Sequence, residues 1–182
     1  PPDVNVSNGG FTADGSGQIR FGLNAVKNVG RNLIENVVKG RQNKPYTSLY
    51  DFCKRMHGNE LNRRAVECLI KAGAFDICNN RHSHVEAVEG ILKSIETDSR
   101  RNLDGQLDLF SVMSGEAQSG ASEDNYEIKQ LPEYSHKELL QQEKEVSGLY
   151  LSGHPLDATG NNPARIASHT IKDLTGEDAH VK

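Results

Sequence analysis

The chain is 182 residues long, with 35% hydrophobic residues, 5% aromatic residues and no tryptophan. Its mean hydropathy is −0.63, and no apolar run approaches the roughly 20 residues that a membrane-spanning helix needs. These values exclude a helical membrane protein and leave room for one modest core, in one or two small domains. Because the sequence begins at Pro1 without a methionine and stops at Lys182 in mid-pattern, we expect a piece of a longer protein.

The charged residues are unevenly distributed along the chain. Residues 20–101 contain 15 Lys and Arg against 9 Asp and Glu, whereas residues 102–151 contain 3 against 10. A basic segment is compatible with binding a polyanion, and an acidic segment would be repelled from it. Solubility alone produces similar imbalances on solvated helices, so the charge pattern indicates a polyanionic partner only together with a motif.

The three cysteines are Cys53, Cys68 and Cys78, and they form no CxxC pair. No apolar signal sequence precedes them, which favours a reduced, cytoplasmic protein. Cys78, His82 and His84 could be combined into a zinc site, but the paired thiol spacing of such sites is missing. The sequence therefore predicts buried or incidental cysteines and no metal.

The sequence pattern of the first 101 residues predicts a small strand-and-turn edge followed by helices. The edge covers residues 1–22: residues 1–18 are rich in turn-forming residues, and a strand is expected over 18–23. Residues 23–101 predict consecutive helices with tight connections. We expect a short helix from Leu23 and a second helix that ends near Gly40. The next two helices should be capped at their N-termini by Thr47 or Ser48 and by Asn59 or Asn62, and the second of them should end in a left-handed residue at Gly73. A longer helix should start at Asn79 or Asn80.

The remaining residues predict a linker and one further helix. Residues 102–132 have the Gly, Ser, Asp and Glu composition of a flexible acidic linker. Residues 133–157 open with a capping box at Ser135 to Glu138 and close through Gly148 and a GHPL connector. The sequence of residues 158–182 indicates almost nothing about their secondary structure. The predicted fold class is mainly α, with a small β edge at the N-terminus.

One candidate site is the turn formed by Lys27, Asn28, Val29, Gly30 and Arg31. A helix, a tight turn and a second helix make a helix-hairpin-helix unit, whose turn amides and helix dipole form an anion site suited to a DNA phosphate. We expect glycine because a side chain would block the approach of the backbone and because the turn visits positive φ. Asn28 replaces the usual first glycine and tolerates left-handed geometry. The alternative is an ordinary helical corner.

A second hairpin follows the same plan from Leu69 to Asp76. Its candidate DNA-binding residues are Lys71 and Gly73, and Arg63, Arg64 and Arg81 place further charge around it. Two packed hairpins can hold both strands of a duplex through phosphates without reading sequence. The apolar residues after Gly73 make this second turn look more like a structural partner of the first.

Another motif is the apolar cluster Gln106, Leu107, Asp108, Leu109 and Phe110 within the acidic linker. Exposed Leu and Phe in a segment too polar to fold alone indicate docking on a partner. The two anchors suit a shallow apolar pocket, with the Gln106 amide fixing the register. The alternative is that Leu109 and Phe110 fold back onto helices of their own chain.

Five segments in register carry a resemblance to a known family: PPDVNVS, IRFGLNAVKNVG, LNRRAVECLIKAGAFD, QLDLF and EKEVSGLYLSGHPLD. With them the chain resembles the bacterial DNA polymerase III alpha subunit. The resemblance implies the end of the fingers over 1–22, a tandem helix-hairpin-helix DNA-binding domain over 23–101, and a sliding-clamp-binding peptide at Gln106 to Phe110. It also implies that 158–182 approach an OB-fold domain.

The resemblance further implies a non-catalytic part of a cytoplasmic, DNA-directed DNA polymerase. Its expected partners are duplex DNA, the sliding clamp and other replicase subunits, with no cofactor of its own and Mg²⁺ bound in a catalytic palm outside this chain. No catalytic residue is expected here. We interpret Asp104 with Asp108, and Glu143 with Glu145, as solvated acids that form no two-metal site.

Two alternatives remain open from the sequence. A helix-hairpin-helix glycosylase or nuclease involved in DNA repair would need a catalytic Lys or Asp just after the hairpin, in a base-accepting pocket. A protein-binding helical scaffold would differ in its response to salt, because only duplex DNA binding gives a steep salt dependence.

Overall fold

The computed structural model describes residues 1–13, 15, 17–76, 78, 80–103 and 126–156. These residues form two strands, a three-residue 3-10 helix and five α-helices. The elements are β1 (Thr12–Ala13), β2 (Ile19–Arg20), the 3-10 helix (Leu23–Ala25), α1 (Arg31–Asn43), α2 (Leu49–Met56), α3 (Arg63–Lys71), α4 (Arg81–Leu103) and α5 (His136–Ser147). The mainly α fold with a small β edge is as the sequence predicted. Within the described ranges, no helix is long and apolar enough to cross a membrane.

The chain divides into two compact units, Pro1–Leu151 and Ser152–Lys182. Of the second unit the structure describes residues 152–156, where the Leu156 N–H donates to His154 Nδ1 (3.2 Å). All of the elements named above belong to the first unit.

The N-terminal segment packs onto the helices. Val4 is fully buried, and its N–H donates to the Ala74 carbonyl (3.1 Å). The Asn5 side chain pairs with the Tyr46 backbone in both directions, donating at 2.9 Å and accepting at 2.7 Å. Residues 1–22 therefore share one core with the helices.

The strand expected over 18–23 is shorter in the structure. Ile19–Arg20 pairs antiparallel with Thr12–Ala13, and the chain then leaves the sheet at Gly22. A Cβ on Gly22 would lie 2.5 Å from the Gly10 carbonyl carbon. This close backbone crossing, followed by a hydrogen bond from the Leu23 N–H to the Asn8 carbonyl (2.9 Å), starts the 3-10 helix instead.

The prediction that a helix ends near Gly40 was wrong, because α1 continues to Asn43. Gly40 makes room for Tyr46, whose hydroxyl would lie 2.5 Å from a Cβ at that position. That hydroxyl donates to the Val37 carbonyl (2.9 Å) inside the core. A glycine that resembles a helix terminator is thus a packing glycine.

The predicted helix caps are confirmed and their ambiguities resolved. Ser48, rather than Thr47, accepts from the Asp51 N–H (3.0 Å) at the start of α2, and Asn62 accepts from the Ala65 N–H (2.9 Å) at the start of α3. Both halves of the Ser135 capping box are present. Gly73 (φ 86°) and Gly148 (φ 79°) have the left-handed backbone that ends a helix.

The core is one cluster that unites both hairpins. Phe52 is fully buried in this cluster. Its ring lies edge-on to the rings of Tyr46 and Phe75, at centroid distances of 5.1 and 5.0 Å. The cluster includes Leu33, Val37 and Leu69, with Leu61 partly buried against it. Helix α3 packs against α4 and α5, while α2 packs against α1 and α4.

Candidate nucleic-acid interface

The first hairpin joins the 3-10 helix to α1 through an exposed turn. Asn28 has φ 62°, while Gly30 is the N-cap of α1 with extended angles of φ −71° and ψ 150°. The expectation that glycine is needed here for positive φ was therefore wrong, because the left-handed residue is Asn28. The Asn28 amide donates to Cys68 Sγ (3.3 Å), which ties the turn to α3.

The N-terminus of α1 presents unpaired backbone donors. Within the described part of the chain, the N–H groups of Gly30, Arg31, Asn32 and Leu33 donate no hydrogen bond, and the first paired amide is that of Ile34, bonded to the Gly30 carbonyl (3.1 Å). Gly30, Arg31 and Asn32 are exposed. The positive end of the helix dipole reinforces these donors, so the geometry is that of an anion site.

Lys27 lies beside this turn and is engaged with α5. Its backbone N–H donates to the Val146 carbonyl (2.8 Å), and Nζ donates to the Glu145 carbonyl (2.7 Å). A cation at a helix C-terminus complements the negative end of the dipole. Lys27 therefore positions the hairpin against α5 while its exposed side chain adds positive charge near the turn.

The second hairpin has no comparable opening. All four N-terminal amides of α4 are paired: those of Arg81 and His82 donate to the Glu133 carboxylate at 2.8 and 3.2 Å. The next two, of Ser83 and His84, donate to the side chain and carbonyl of Asn80. A carboxylate of the protein thus occupies the anion-binding end of α4.

The turn of this second hairpin is closed by a buried ionic cluster around Arg81. The Arg81 guanidinium, 4% exposed, binds both carboxylate oxygens of Asp76 at 2.9 and 2.7 Å and Glu143 Oε1 at 3.0 Å. Burial would lower its pKa, but the bonds and charges of the two carboxylates raise the pKa above its ordinary value. Arg81 stays charged and inside the protein.

Three sequence-based expectations change as a result. Arg81 does not contribute surface charge. Glu143 is fully buried and is not the solvated acid that we expected from the sequence. Gly73 is buried, and a Cβ there would lie 2.5 Å from Arg81 Nη2. Gly73 makes room for the cluster, and nothing in this geometry offers its backbone to DNA.

The remaining candidate residues differ in accessibility. Val29 is half-buried against the core, and Lys71 lies 3.8 Å from Glu145 at the edge of α3. Arg64 is exposed, whereas Arg63 pairs with two carboxylates of the surface. The clamp-binding candidates Gln106 to Phe110 lie outside the described residues.

The described residues contain no group of three or more His, Cys, Asp or Glu placed to hold a metal ion. Cys53, Cys68 and Cys78 are free thiols. Burial raises the pKa of Cys53 to about 12, so this thiol stays protonated at neutral pH. It is a core residue with no nucleophilic character.

The residue missed by sequence analysis that most affects the site is Glu133. It directly follows the segment 102–132 that we interpreted as linker, 52 residues from Arg81, to whose backbone it bonds. No local pattern connects a carboxylate at this position with a distant helix start. Only the packing of residues 126–135 across α4 brings the two together.

Comparison with known proteins gives a consistent result. The helix-hairpin-helix motif family matches residues 1–84, which contain both hairpins up to the start of α4. A DNA polymerase III subunit alpha of Pseudomonas fluorescens is 35% identical over 95% of this chain and 16% of its own length. The DNA polymerase III subunit alpha of Xylella fastidiosa is 39% identical over 99% of this chain and 14% of its own length. That of Chlamydia pneumoniae is 35% identical over 92% of this chain and 13% of its own length. The chain spans about 15% of the length of these relatives.

Proposed function

Because the chain belongs to the family of DNA polymerase III alpha subunits, we propose that its first hairpin holds duplex DNA by the phosphate backbone. The observation that carries the proposal is the exposed N-terminus of α1, where the N–H groups of residues 30–33 are unpaired. Such donors bind a phosphate oxygen and recognise no base. The unit is non-catalytic and positions DNA for a reaction elsewhere in the protein.

The residues of the turn divide the work. The amides of residues 30–33 bind the phosphate, and the exposed Arg31 adds a charge that is free to follow the DNA backbone. Asn28 supplies the left-handed turn, and Val29 anchors it to the core. Lys27 holds the hairpin on α5 and contributes long-range attraction to DNA.

The second hairpin is proposed as a structural support for the first. Glu133 satisfies the start of α4, and the Arg81 cluster closes the turn at Gly73. We therefore leave Gly73 out of the proposed contacts and keep Lys71 as a peripheral charge. The DNA interface is then polarised toward the start of α1.

For the whole protein we propose DNA-directed DNA synthesis during replication, in the cytoplasm. Mg²⁺ would be bound by carboxylates of a catalytic palm, and the unit described here needs no cofactor to bind phosphate. Other replicase subunits are proposed partners of the complete alpha subunit. These proposals rest on family membership.

We also propose that Gln106 to Phe110 bind the sliding clamp. The support comes from the sequence, which has the apolar anchors and polar leader that a shallow pocket on a partner requires. The chain on the C-terminal side of this segment is anchored, because the Tyr126 ring stacks on Tyr50 at a centroid distance of 6.1 Å. A tether starting from an anchored point would keep clamp and DNA close together.

The test of DNA binding is a fluorescence anisotropy titration of a labelled duplex of about 20 base pairs at several salt concentrations. We expect the logarithm of the affinity to fall linearly with the logarithm of the salt concentration, equally for unrelated base sequences. Arg31→Gln should reduce that slope by about one. Lys137→Gln, which removes an exposed cation at the far end of α5, should leave it unchanged. Salt-independent binding or a strong base preference contradicts the proposal.

A further inference from the structure

A second carboxylate of the chain, that of Glu60, lies beside the start of α1. The Asn32 side-chain amide donates to Glu60 Oε1 (3.0 Å), and Oε2 is 3.6 Å from the position that a Cβ on Gly30 would take. Both Gly30 and Asn32 belong to the proposed phosphate site. The exposed Glu60 side chain thus puts a negative charge next to it.

The backbone holds Glu60 in this place. Glu60 has φ 59°, a left-handed conformation that is uncommon and costly for a residue other than glycine or asparagine. It follows Gly58 (φ 81°), and the neighbouring Asn59 side chain accepts a hydrogen bond from Asn36 of α1 (3.4 Å). The turn before α3 is therefore docked on α1 with Glu60 facing the hairpin.

The two hairpins use their carboxylates differently. Glu133 accepts hydrogen bonds from the first two amides of α4 and fills that helix end. In the described residues, Glu60 accepts from the Asn32 side chain and from none of the amides at the start of α1. The Glu60 carboxylate is beside the anion site and leaves its donors open.

We propose that Glu60 limits the affinity of the first hairpin for DNA. This inference rests on the proposed function, since it concerns the phosphate bound at residues 30–33. A like charge about 5 Å from a bound phosphate, in water-like surroundings, weakens binding by about fourfold. Such a residue keeps the grip on DNA weak enough for the duplex to move past the hairpin, with a penalty that salt reduces.

The decisive variant is Glu60→Gln. Glutamine keeps an oxygen that accepts from Asn32, so the variant removes the charge and retains the hydrogen bond. Glu35→Gln is the matched control. Glu35 is also an exposed acid, and it lies on α1 about one helical turn beyond Arg31 and Asn32. Glu60→Asn is a second variant, suited to the left-handed backbone, in case the glutamine destabilises the turn.

Each variant is titrated with the labelled duplex at about 50 mM and about 300 mM salt. We expect Glu60→Gln to bind about three- to tenfold more tightly at low salt, with a smaller gain at high salt, and Glu35→Gln to change affinity by less than about twofold. In a Gly30→Val background, where the amides are covered, the gain from Glu60→Gln should disappear.

The failures of the two proposals are distinguishable. If Gly30→Val weakens a salt-dependent affinity while neither Glu60 variant tightens it, the role of Glu60 is wrong and the phosphate site stands. If Glu60→Gln tightens binding equally with and without Gly30→Val, the residue acts through general charge and not at this site. Absence of duplex binding by the unsubstituted protein overturns both.

Discussion

The Glu133 carboxylate accepts a hydrogen bond of 2.8 Å from the backbone N–H of Arg81. It is part of a wider contact, since the Leu131 N–H donates to Ser83 Oγ (2.9 Å) and the Leu131 carbonyl accepts from the Asn80 amide (2.6 Å). These bonds fix residues 131–133 across the start of α4. They also explain why the start of α4 is capped while the amides at the start of α1 stay unpaired.

Removing this cap should destabilise the protein. Burial would raise the pKa of Glu133, but the N–H groups of Arg81, Tyr134 and His82 outweigh it and lower the pKa below the ordinary value of 4.5. We expect Glu133→Ala to reduce the free energy of unfolding by about 0.5–2 kcal/mol at pH 7, as loss of a helix cap does. Urea unfolding followed by circular dichroism measures this change.

The same cap predicts a pH dependence. A lowered folded pKa means that the stabilisation is complete above the unfolded pKa of 4.5 and is lost as the pH falls through the folded pKa. The deficit of Glu133→Ala should therefore shrink between pH 5 and about pH 3. Glu127→Ala, an exposed neighbour, is the control, and a deficit that stays constant over this range contradicts the charge-based cap.

Leu69 tests the common core of the two hairpins. It is 2% exposed and belongs to the same cluster as Leu33 and Val37. We expect Leu69→Ala to lower the free energy of unfolding by about 2–5 kcal/mol, because a cavity remains after truncation. Leu149→Ala, at a position 56% exposed, should cost less than about 0.5 kcal/mol. Similar losses for both variants would mean that α3 is not central to the core.

The buried pair of Arg81 and Glu143 should show strong coupling. Arg81→Met leaves the fully buried Glu143 carboxylate without its ionic partner, a change that costs about 3–5 kcal/mol. Replacing both residues, with Met and Leu, should be less destabilising than Arg81→Met alone, since no buried charge is left. A double-mutant cycle in urea tests this, and additive losses would show that the pair is not energetically linked.

Sequence patterns predicted the parts of this fold that depend on local chemistry. The caps at Ser48, Asn62 and Ser135 lie where short polar side chains precede an apolar helical stripe. The left-handed ends at Gly73 and Gly148 follow from glycine at the close of such stripes. Each of these features is determined by residues within four positions of one another.

Features that depend on tertiary packing could not be predicted in this way. Gly40 was mistaken for a helix end because its packing partner Tyr46 is recognisable only in three dimensions. The sequence suggested grouping Glu143 with Glu145 as solvated acids, but in space Glu143 pairs with the Arg81 guanidinium. The position of Glu60 beside Gly30 likewise requires the docking of one turn on another helix.

Gly30 gives a selective test of the phosphate site. Its backbone angles suit any residue, and a Cβ there meets only the Glu60 carboxylate at 3.6 Å, so Gly30→Val should fold with a stability loss of at most about 1 kcal/mol. The valine side chain would cover the amides that we propose to bind phosphate. We expect duplex affinity to fall about tenfold or more, from loss of hydrogen bonds to a charged group.

Two further variants serve as comparisons for the duplex affinity of Gly30→Val. Arg31→Gln should weaken binding less than Gly30→Val, because it removes one solvated charge and leaves the amides in place. Gly10→Val, at an exposed glycine with open space around it, should have little effect. Equal affinity of Gly30→Val and Gly10→Val for the duplex would exclude the start of α1 as the phosphate site.

Substitutions at Gln106 and Phe110 test whether this unit also binds the sliding clamp. Phe110, with Leu109, is expected to fill an apolar pocket of the clamp, while the Gln106 amide orients the peptide and Asp108 faces solvent. We expect the acidic flanks to repel DNA phosphates, so that duplex and clamp could be bound at once and each would raise the effective concentration of the other. The double variant Gln106→Ala/Phe110→Ala should therefore abolish clamp binding in a titration with purified clamp, while the melting temperature and duplex affinity stay unchanged. Asp108→Ala is the control and should still bind. Clamp binding that survives the double variant would place the tether in another segment.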